Sequence, residues 1–220
     1  MTILKATHLT KRFKRGDKSF EAVSNVSLDV KKGEVVSIIG RSGCGKTTLL
    51  NLLAGLINPD SGQVELDQMA IHSMPDDELT TIRNRKIGFV PQGKSLLGSL
   101  SVLDNVRLPL FLAKNGQDSR QRALDLLRAL GIGELADSQP ASLSGGELRR
   151  AALARALIAS PLLVIADEPT SEMDGGSAES FLNLVKLFND QGMTFIMATH
   201  DMKAAEISGR VLKMDLGVLE

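Results

Sequence analysis

The 220 residues suffice for one domain, or one core with an inserted subdomain, able to bury roughly 70 to 75% of its unfolded surface without a disulfide or metal staple. Lysine plus arginine and aspartate plus glutamate both count 26, so the formal net charge is zero and nucleic acid is excluded as the principal partner. Cys44 is the single cysteine, which rules out an intramolecular disulfide; residues 1–5 show no signal segment and no run reaches the roughly 20 apolar residues of a membrane span, so a cytoplasmic chain without direct membrane insertion is expected.

From the N-terminus, 3–9, 20–23 and 26–30 are short strand candidates joined by turns without a helix, which predicts a small antiparallel sheet. Short apolar, β-branched runs then recur at 35–39, 87–90, 162–166, 194–199 and 211–214 and read as strands buried on both faces. Helical patterns lie between them. Phe181, Leu184, Val185 and Phe188 fall at i, i+3, i+4 and i+7, whereas Asn183, Lys186 and Asn189 take the opposite side. Strands alternating with helices predict an α/β fold with a mostly parallel sheet. From about 94 to 157 the pattern is mostly helical: 119–130 carries Ala123, Leu126, Leu127 and Leu130 on one face, and 151–158 is rich in alanine and leucine. This predicts a helical insertion between two core strands of a single 220-residue domain. His72, among Ile71, Ser73 and Met74, reads as a surface loop residue without a role.

Three segments carry chemistry. The run Gly40-Arg41-Ser42-Gly43-Cys44-Gly45-Lys46-Thr47-Thr48 joins the strand 35–39 to a helix-like segment, the context a phosphate-binding P-loop requires. Glycines let successive N–H groups turn toward a polyphosphate, the helix start adds its dipole, Lys46 reaches β and γ phosphates, and the Thr47 hydroxyl can ligate Mg²⁺. Next, the strand 162–166 delivers Asp167 and Glu168 at its C-terminal end, where open α/β sheets bind ligands. Asp167 suits the Mg²⁺ shell, and Glu168 suits orienting or deprotonating an attacking water. Finally, Leu143-Ser144-Gly145-Gly146-Glu147 precedes an alanine-rich helix and forms a second anion-binding helix start. One triphosphate does not need two such sites, so a second copy of the chain is expected to supply this segment across a nucleotide.

With these motifs in this order, the chain resembles the ATP-binding subunits of ABC transporters over essentially its whole length. The resemblance implies a P-loop NTPase core with an N-terminal antiparallel β subdomain and an inserted α-helical subdomain, binding ATP and Mg²⁺. It also implies that Gln92, in Phe89-Val90-Pro91-Gln92, touches Mg²⁺ and senses the γ-phosphate. His200, in Thr199-His200-Asp201, contacts the γ-phosphate, and Phe13 stacks on adenine. Catalysis then falls to Glu168, His200, Gln92 and Lys46, metal ligation to Thr47, Gln92 and Asp167, and cross-subunit nucleotide contact to Ser144, Gly145, Gly146 and Glu147. The stretch 96–110 is similar to that of lipoprotein-release, macrolide-export and cell-division ATPases.

Three positions depart from the family pattern: Glu147 where glutamine is commoner, Glu172 within Ser171-Glu172-Met173-Asp174 where a small or apolar residue is usual, and Phe13 in place of tyrosine. The resemblance implies an ATP-sandwich homodimer that drives an integral membrane permease-type subunit, and so sits peripherally on the inner face of the cell membrane. A soluble ABC-type ATPase is the alternative, but repair members carry long coiled coils and translation members fuse two ATPase domains, and this chain has neither. A P-loop kinase or GTPase leaves 143–147 unexplained.

Overall fold

The computed structural model describes residues 1–16, 18–113, 119–171 and 173–220. Its first two strands, β1 (Thr2–Arg15) and β2 (Lys18–Lys31), pair antiparallel along most of their length. The turn expected between 23 and 26 is instead a bulge inside one continuous strand. Asn25 adopts φ 50° opposite His8 at φ 51°, and the ring Nδ1 of His8 lies 2.8 Å from Asn25 Oδ1. A left-handed residue in each strand shifts register without ending the ladder, and asparagine and histidine tolerate that conformation better than most. After the bulge Val26, Leu28 and Val30 alternate into the core, the period-2 signature of a half-buried strand.

β3 (Val35–Ile39) leads through the glycine-rich loop into α1 (Lys46–Leu53). That helix lies between two sheets, which is why Leu49, Leu50, Leu52 and Leu53 are all fully buried. β4 (Ser61–Leu66) and β5 (Met69–Ala70) complete the antiparallel sheet in the order β2-β1-β4-β5. α2 (Asp76–Lys86) follows with Asp76, Asp77 and Glu78 in its first turn and Arg83, Arg85 and Lys86 in its last, opposing its dipole at both ends. The preceding 3-10 turn corrects the reading of His72: its Nε2 lies 2.9 Å from Leu52 O and its Nδ1 3.2 Å from Asn58 Oδ1. The ring therefore ties down the C-terminal turn of α1, and its burial pushes the pKa below the usual histidine value.

β6 (Ile87–Val90) starts the inserted helical subdomain, which comprises α3 (Val102–Leu112), α4 (Arg120–Ala129) and α5 (Gly145–Leu157). The expected helical character at 94 begins only at Val102. Loop 91–101 has no regular structure and is organised by the fully buried Asn105, whose Nδ2 lies 3.0, 3.2 and 2.9 Å from the carbonyls of Leu97, Leu100 and Ser101. Its Oδ1 accepts from Leu97 N at 2.7 Å. The chain then returns through β7 (Leu163–Asp167), α6 (Gly175–Asp190), β8 (Thr194–Thr199), α7 (Met202–Glu206), β9 (Arg210–Asp215) and β10 (Val218–Leu219).

The second sheet has the order β10-β9-β3-β8-β7-β6 and is parallel except for β10. Alternate residues of its strands divide between two cores. Ile165, Ile196 and Ala198 pack with α1 and the antiparallel sheet, whereas Val164, Ala166, Phe195 and Met197 pack with Phe181, Val185 and the helices of the insertion. This layering fixes the C-terminal ends of β3, β7 and β8 side by side.

Asn105→Ala leaves the Leu97 N–H and the Leu100 carbonyl without their partner and takes a second donor from the carbonyls of Leu97 and Ser101, and should cost roughly 1–3 kcal/mol in urea unfolding. Asn105→Asp should cost more at neutral pH, because it aims a carboxylate at those carbonyls. An aspartate variant as stable as wild type would contradict this account of the loop.

Candidate functional site

The glycine-rich loop bends back over the end of β3 because only glycine fits its two tightest points. Gly45 caps α1 with φ 110°, and a Cβ there would collide with Ala22 O; a Cβ on Gly40 would collide with Met214 O. Arg41, Ser42 and Gly43 are exposed, Cys44 is buried, and Thr47 and Thr48 open the helix. The Lys46 ammonium folds into the loop, donating to Gly40 O at 2.8 Å and Arg41 O at 3.3 Å.

Register carries the acidic pair to the same place: Asp167 pairs with Ala198, and Ile39 with Thr199. Glu168 follows in the left-handed region at φ 47°, its N–H donating to Ala198 O at 2.8 Å. Its carboxylate bridges two elements, Oε1 lying 3.4 Å from Lys46 Nζ and Oε2 2.7 Å from His200 Nδ1. Lys46 and Glu168 are buried, while His200 projects to the surface with 68% of its side chain exposed.

Asp167 is 2% exposed and its Oδ1 has no hydrogen-bond partner. Burial pushes its carboxyl above the ordinary carboxylate range; the Thr47 hydroxyl opposes this, Glu168 adds to it, and Lys46 and Arg149 oppose it. An orphaned carboxylate oxygen beside a threonine hydroxyl is the hard-oxygen donor set that suits Mg²⁺. Among the described residues no cluster of three or more His, Cys, Asp or Glu side chains could hold a metal alone. One carboxylate and one hydroxyl are the sparse protein share usual for Mg²⁺, whose remaining ligands are water and phosphate oxygens.

Gln92 is exposed and lines one pocket together with Phe13, Phe20, Lys46, Thr47 and Glu168. Phe20, which the sequence reading left unassigned, stands with its ring centroid 6.1 Å from that of Phe13, tilted by 35°. β2 pairs with β1 so that the two rings face each other, and Lys11 Nζ sits 5.8 Å from the Phe13 ring. Two exposed aromatics at one mouth make a flat apolar slot of the kind that accepts a heteroaromatic ring.

Ser144, Gly145, Gly146 and Glu147 do not line that pocket. They begin α5, where Ser144 N donates to Glu147 Oε2 at 2.7 Å and Glu147 N donates to Ser144 Oγ at 3.4 Å, a capping box. The Ser144 N–H holds the Glu147 carboxyl below its ordinary value. A glutamine side chain would accept the same bond, which accounts for the glutamate at this place. Glu172 lies outside the described residues.

Sequence reading also missed Arg149 and Arg155, which project from α5 into the Gln92 loop. Arg149 is 5% exposed and donates to Pro91 O and Gly93 O, both at 2.8 Å; Arg155 donates to Ser95 O at 2.8 Å and Ser95 Oγ at 3.0 Å. The available signal was arginine within an otherwise Ala/Leu helix, a place where a charge needs buried partners.

The ABC transporter family profile matches residues 23–171. An uncharacterized ABC transporter ATP-binding protein of Methanocaldococcus jannaschii, MJ0796, is 40% identical over 99% of this chain and 95% of its own length. Its structure as a dimer in a post-hydrolysis state bound to ADP and Pi superposes with a TM-score of 0.93, covering 99% of this chain and 96% of that one. The lipoprotein-releasing system ATP-binding protein LolD of Saccharophagus degradans is 39% identical over 99% of this chain and 96% of its own. The macrolide export ATP-binding/permease protein MacB of Syntrophobacter fumaroxidans is 38% identical over all of this chain, which spans 31% of MacB's length.

Because Asp167 keeps its proton in the folded state at pH values where the unfolded chain has released it, its contribution to stability falls as pH rises from the ordinary carboxylate range through the raised value. Asp167→Asn should therefore raise the nucleotide-free melting midpoint at pH 7.5, and the gain should vanish near pH 4. A gain that persists undiminished in acid would not come from ionisation.

Proposed function

This chain belongs to the ABC transporter family and is one of its ATPases, and we propose that it works as a homodimer closing on two Mg²⁺-ATP and driving a membrane partner. The observation that carries this reading is the separation within one chain of its two anion-binding helix starts: Gly45–Thr48 lines the P-loop pocket and Ser144–Glu147 does not. Each would meet one nucleotide from opposite sides if a second copy docks face to face.

In that arrangement the loop amides from Gly40 to Thr48 cradle the phosphates and Lys46 neutralises the β and γ oxygens. Phe13 and Phe20 hold adenine. Thr47, Asp167 and Gln92 hold Mg²⁺, which when bound offsets charge on the β and γ phosphates. Glu168 orients the attacking water and takes its proton, while His200 fixes the carboxylate and reaches the γ-phosphate. The bridge from Lys46 to Glu168 gives this base a built-in condition. A triphosphate that draws Lys46 Nζ toward itself releases Oε1, so the carboxylate becomes free for water only when nucleotide is present.

The membrane partner would seat beside the Gln92 loop, where Leu56, Asn84, Phe89, Pro109 and Arg155 line a groove between α2, β6 and the helical insertion. Among the described residues no helix is long and apolar enough to cross a membrane. In this reading, attachment to the inner face of the cell membrane runs through this partner. The likeness to LolD and MacB favours export or lipoprotein release, and the resemblance of 96–110 adds transmission of movement to extracytoplasmic domains.

Glu168→Gln should lower hydrolysis by roughly 10²-fold or more and yield a dimer in Mg²⁺-ATP that returns to monomer in ADP, read by light scattering on a sizing column. Adding Ser144→Arg should block the dimer yet leave one-subunit ATP binding in place. A Glu168→Gln protein that stays monomeric at saturating Mg²⁺-ATP, both alone and with its copurified membrane protein, would overturn the sandwich. Phe20→Ala should weaken ATP binding several-fold with little change in kcat; an unaltered dissociation constant removes Phe20 from the adenine site.

A further inference from the structure

We propose that Arg149 is a positioning residue that couples the two nucleotide sites of the dimer, by fastening the Gln92 loop of one site to the Ser144 end of the helix that serves the other. This rests on the sandwich reading above and adds to it the physical link between its halves.

The link is short and direct. Arg149 sits five residues beyond Ser144 on α5, about 7.5 Å along a continuous helix. One of its terminal nitrogens, Nη1, donates to the carbonyls of both Pro91 and Gly93, the residues on either side of Gln92. Two bonds from one nitrogen to carbonyls two residues apart fix the backbone that carries the Gln92 side chain. Nη2 lies 3.4 Å from Ser171 Oγ, and that hydroxyl donates to Glu168 O at 2.8 Å. One guanidinium thus touches the loop of Gln92 and the segment behind Glu168, while its own helix presents Ser144 outward.

The chemistry favours a specific tie over mere filling. A buried guanidinium carries a desolvation cost that an aliphatic side chain avoids, and is tolerated only when its donors meet well-placed acceptors. Arg155, six residues further along α5, binds Ser95 by two more bonds. Segment 91–95 is therefore carried by α5, although in sequence it extends from β6. When Gln92 moves toward a nucleotide in its own site, α5 is drawn along and shifts Ser144 relative to the opposite site. ATP in one site then raises the affinity or turnover of the other.

The test is the dependence of steady-state hydrolysis on Mg²⁺-ATP concentration for the full chain. With two coupled sites, wild type should show a Hill coefficient well above 1, its upper bound being about 2. Arg149→Met and Arg149→Gln both break the double bond to the loop. They should bring the Hill coefficient to about 1 and lower kcat by about tenfold, while the dissociation constant of ATP for the isolated subunit stays within about twofold of wild type. Arg149→Lys, whose ammonium can still donate to two carbonyls, should regain at least half of the lost cooperativity. A purely structural arginine would instead lower the melting midpoint and the active fraction and leave the Hill coefficient alone. Folded Met or Gln variants that keep wild-type cooperativity overturn the proposal, as does a lysine variant that regains none. A wild type that forms the Glu168→Gln dimer but hydrolyses ATP without cooperativity overturns it too, whereas absence of that dimer defeats the sandwich reading itself.

Discussion

Glu168 holds together three pieces of chain that the sheet topology only brings near one another. Its backbone N–H is bound to β8, one carboxylate oxygen faces Lys46 on α1, and the other faces His200 beyond β8. A buried ion pair by itself contributes little net stability, because desolvating both groups offsets most of their attraction. Here the ammonium is further satisfied by two loop carbonyls and the carboxylate by the imidazole. The pairing therefore keeps the charges in register at the sheet edge without a stability gain that an entering polyanion would have to overcome. The left-handed backbone at Glu168, costly for a non-glycine residue, is held by the same contacts and turns the carboxylate back over the loop.

The neighbouring Asp167 has the opposite fate. Glu168 has two cationic or protic partners, whereas Asp167, one residue earlier, is buried with one oxygen that meets none. β7 ends at Asp167, and the left-handed backbone at Glu168 breaks the strand there and sets the two side chains in different surroundings. Two carboxylates in sequence thus acquire different environments, one paired with an ammonium and an imidazole, the other buried with an orphaned oxygen and its pKa raised by that burial, and adjacent carboxylates in unlike environments can take unlike roles.

Legibility in the sequence followed how local each interaction is. The strands at 35–39, 87–90 and 194–199 coincide with β3, β6 and β8 because both faces are covered and the apolar run is bounded by glycine or polar residues. Ser144 was readable as a helix start because a capping box is complete within four residues. β1 and β2 were read as fragments because each contains a left-handed residue that looks like a turn until its cross-strand partner is known. β4, β5 and α2 escaped because their buried positions are few; α2 buries Leu79 alone and was marked only by its charge order. His72, Phe20 and Arg149 escaped for a different reason, since each acquires its surroundings from residues 7 to 58 positions away.

The loop between β6 and α3 shows what such long-range ties accomplish. Residues 91–101 have no ladder and no helix of their own, so their polar groups must be met by side chains or water. The structure meets them from two helices: Asn105 of α3 holds 97–101, and Arg149 and Arg155 of α5 hold 91–95. The position of Gln92 is thereby set by the helical insertion as much as by the strand preceding it. The groove that includes Phe89, Pro109 and Arg155 lies against the same helices. A force applied at that groove and a charge placed in the P-loop pocket would therefore act on one mechanical unit, with α5 as its stiffest member because its Ala/Leu face is buried along nearly its whole length.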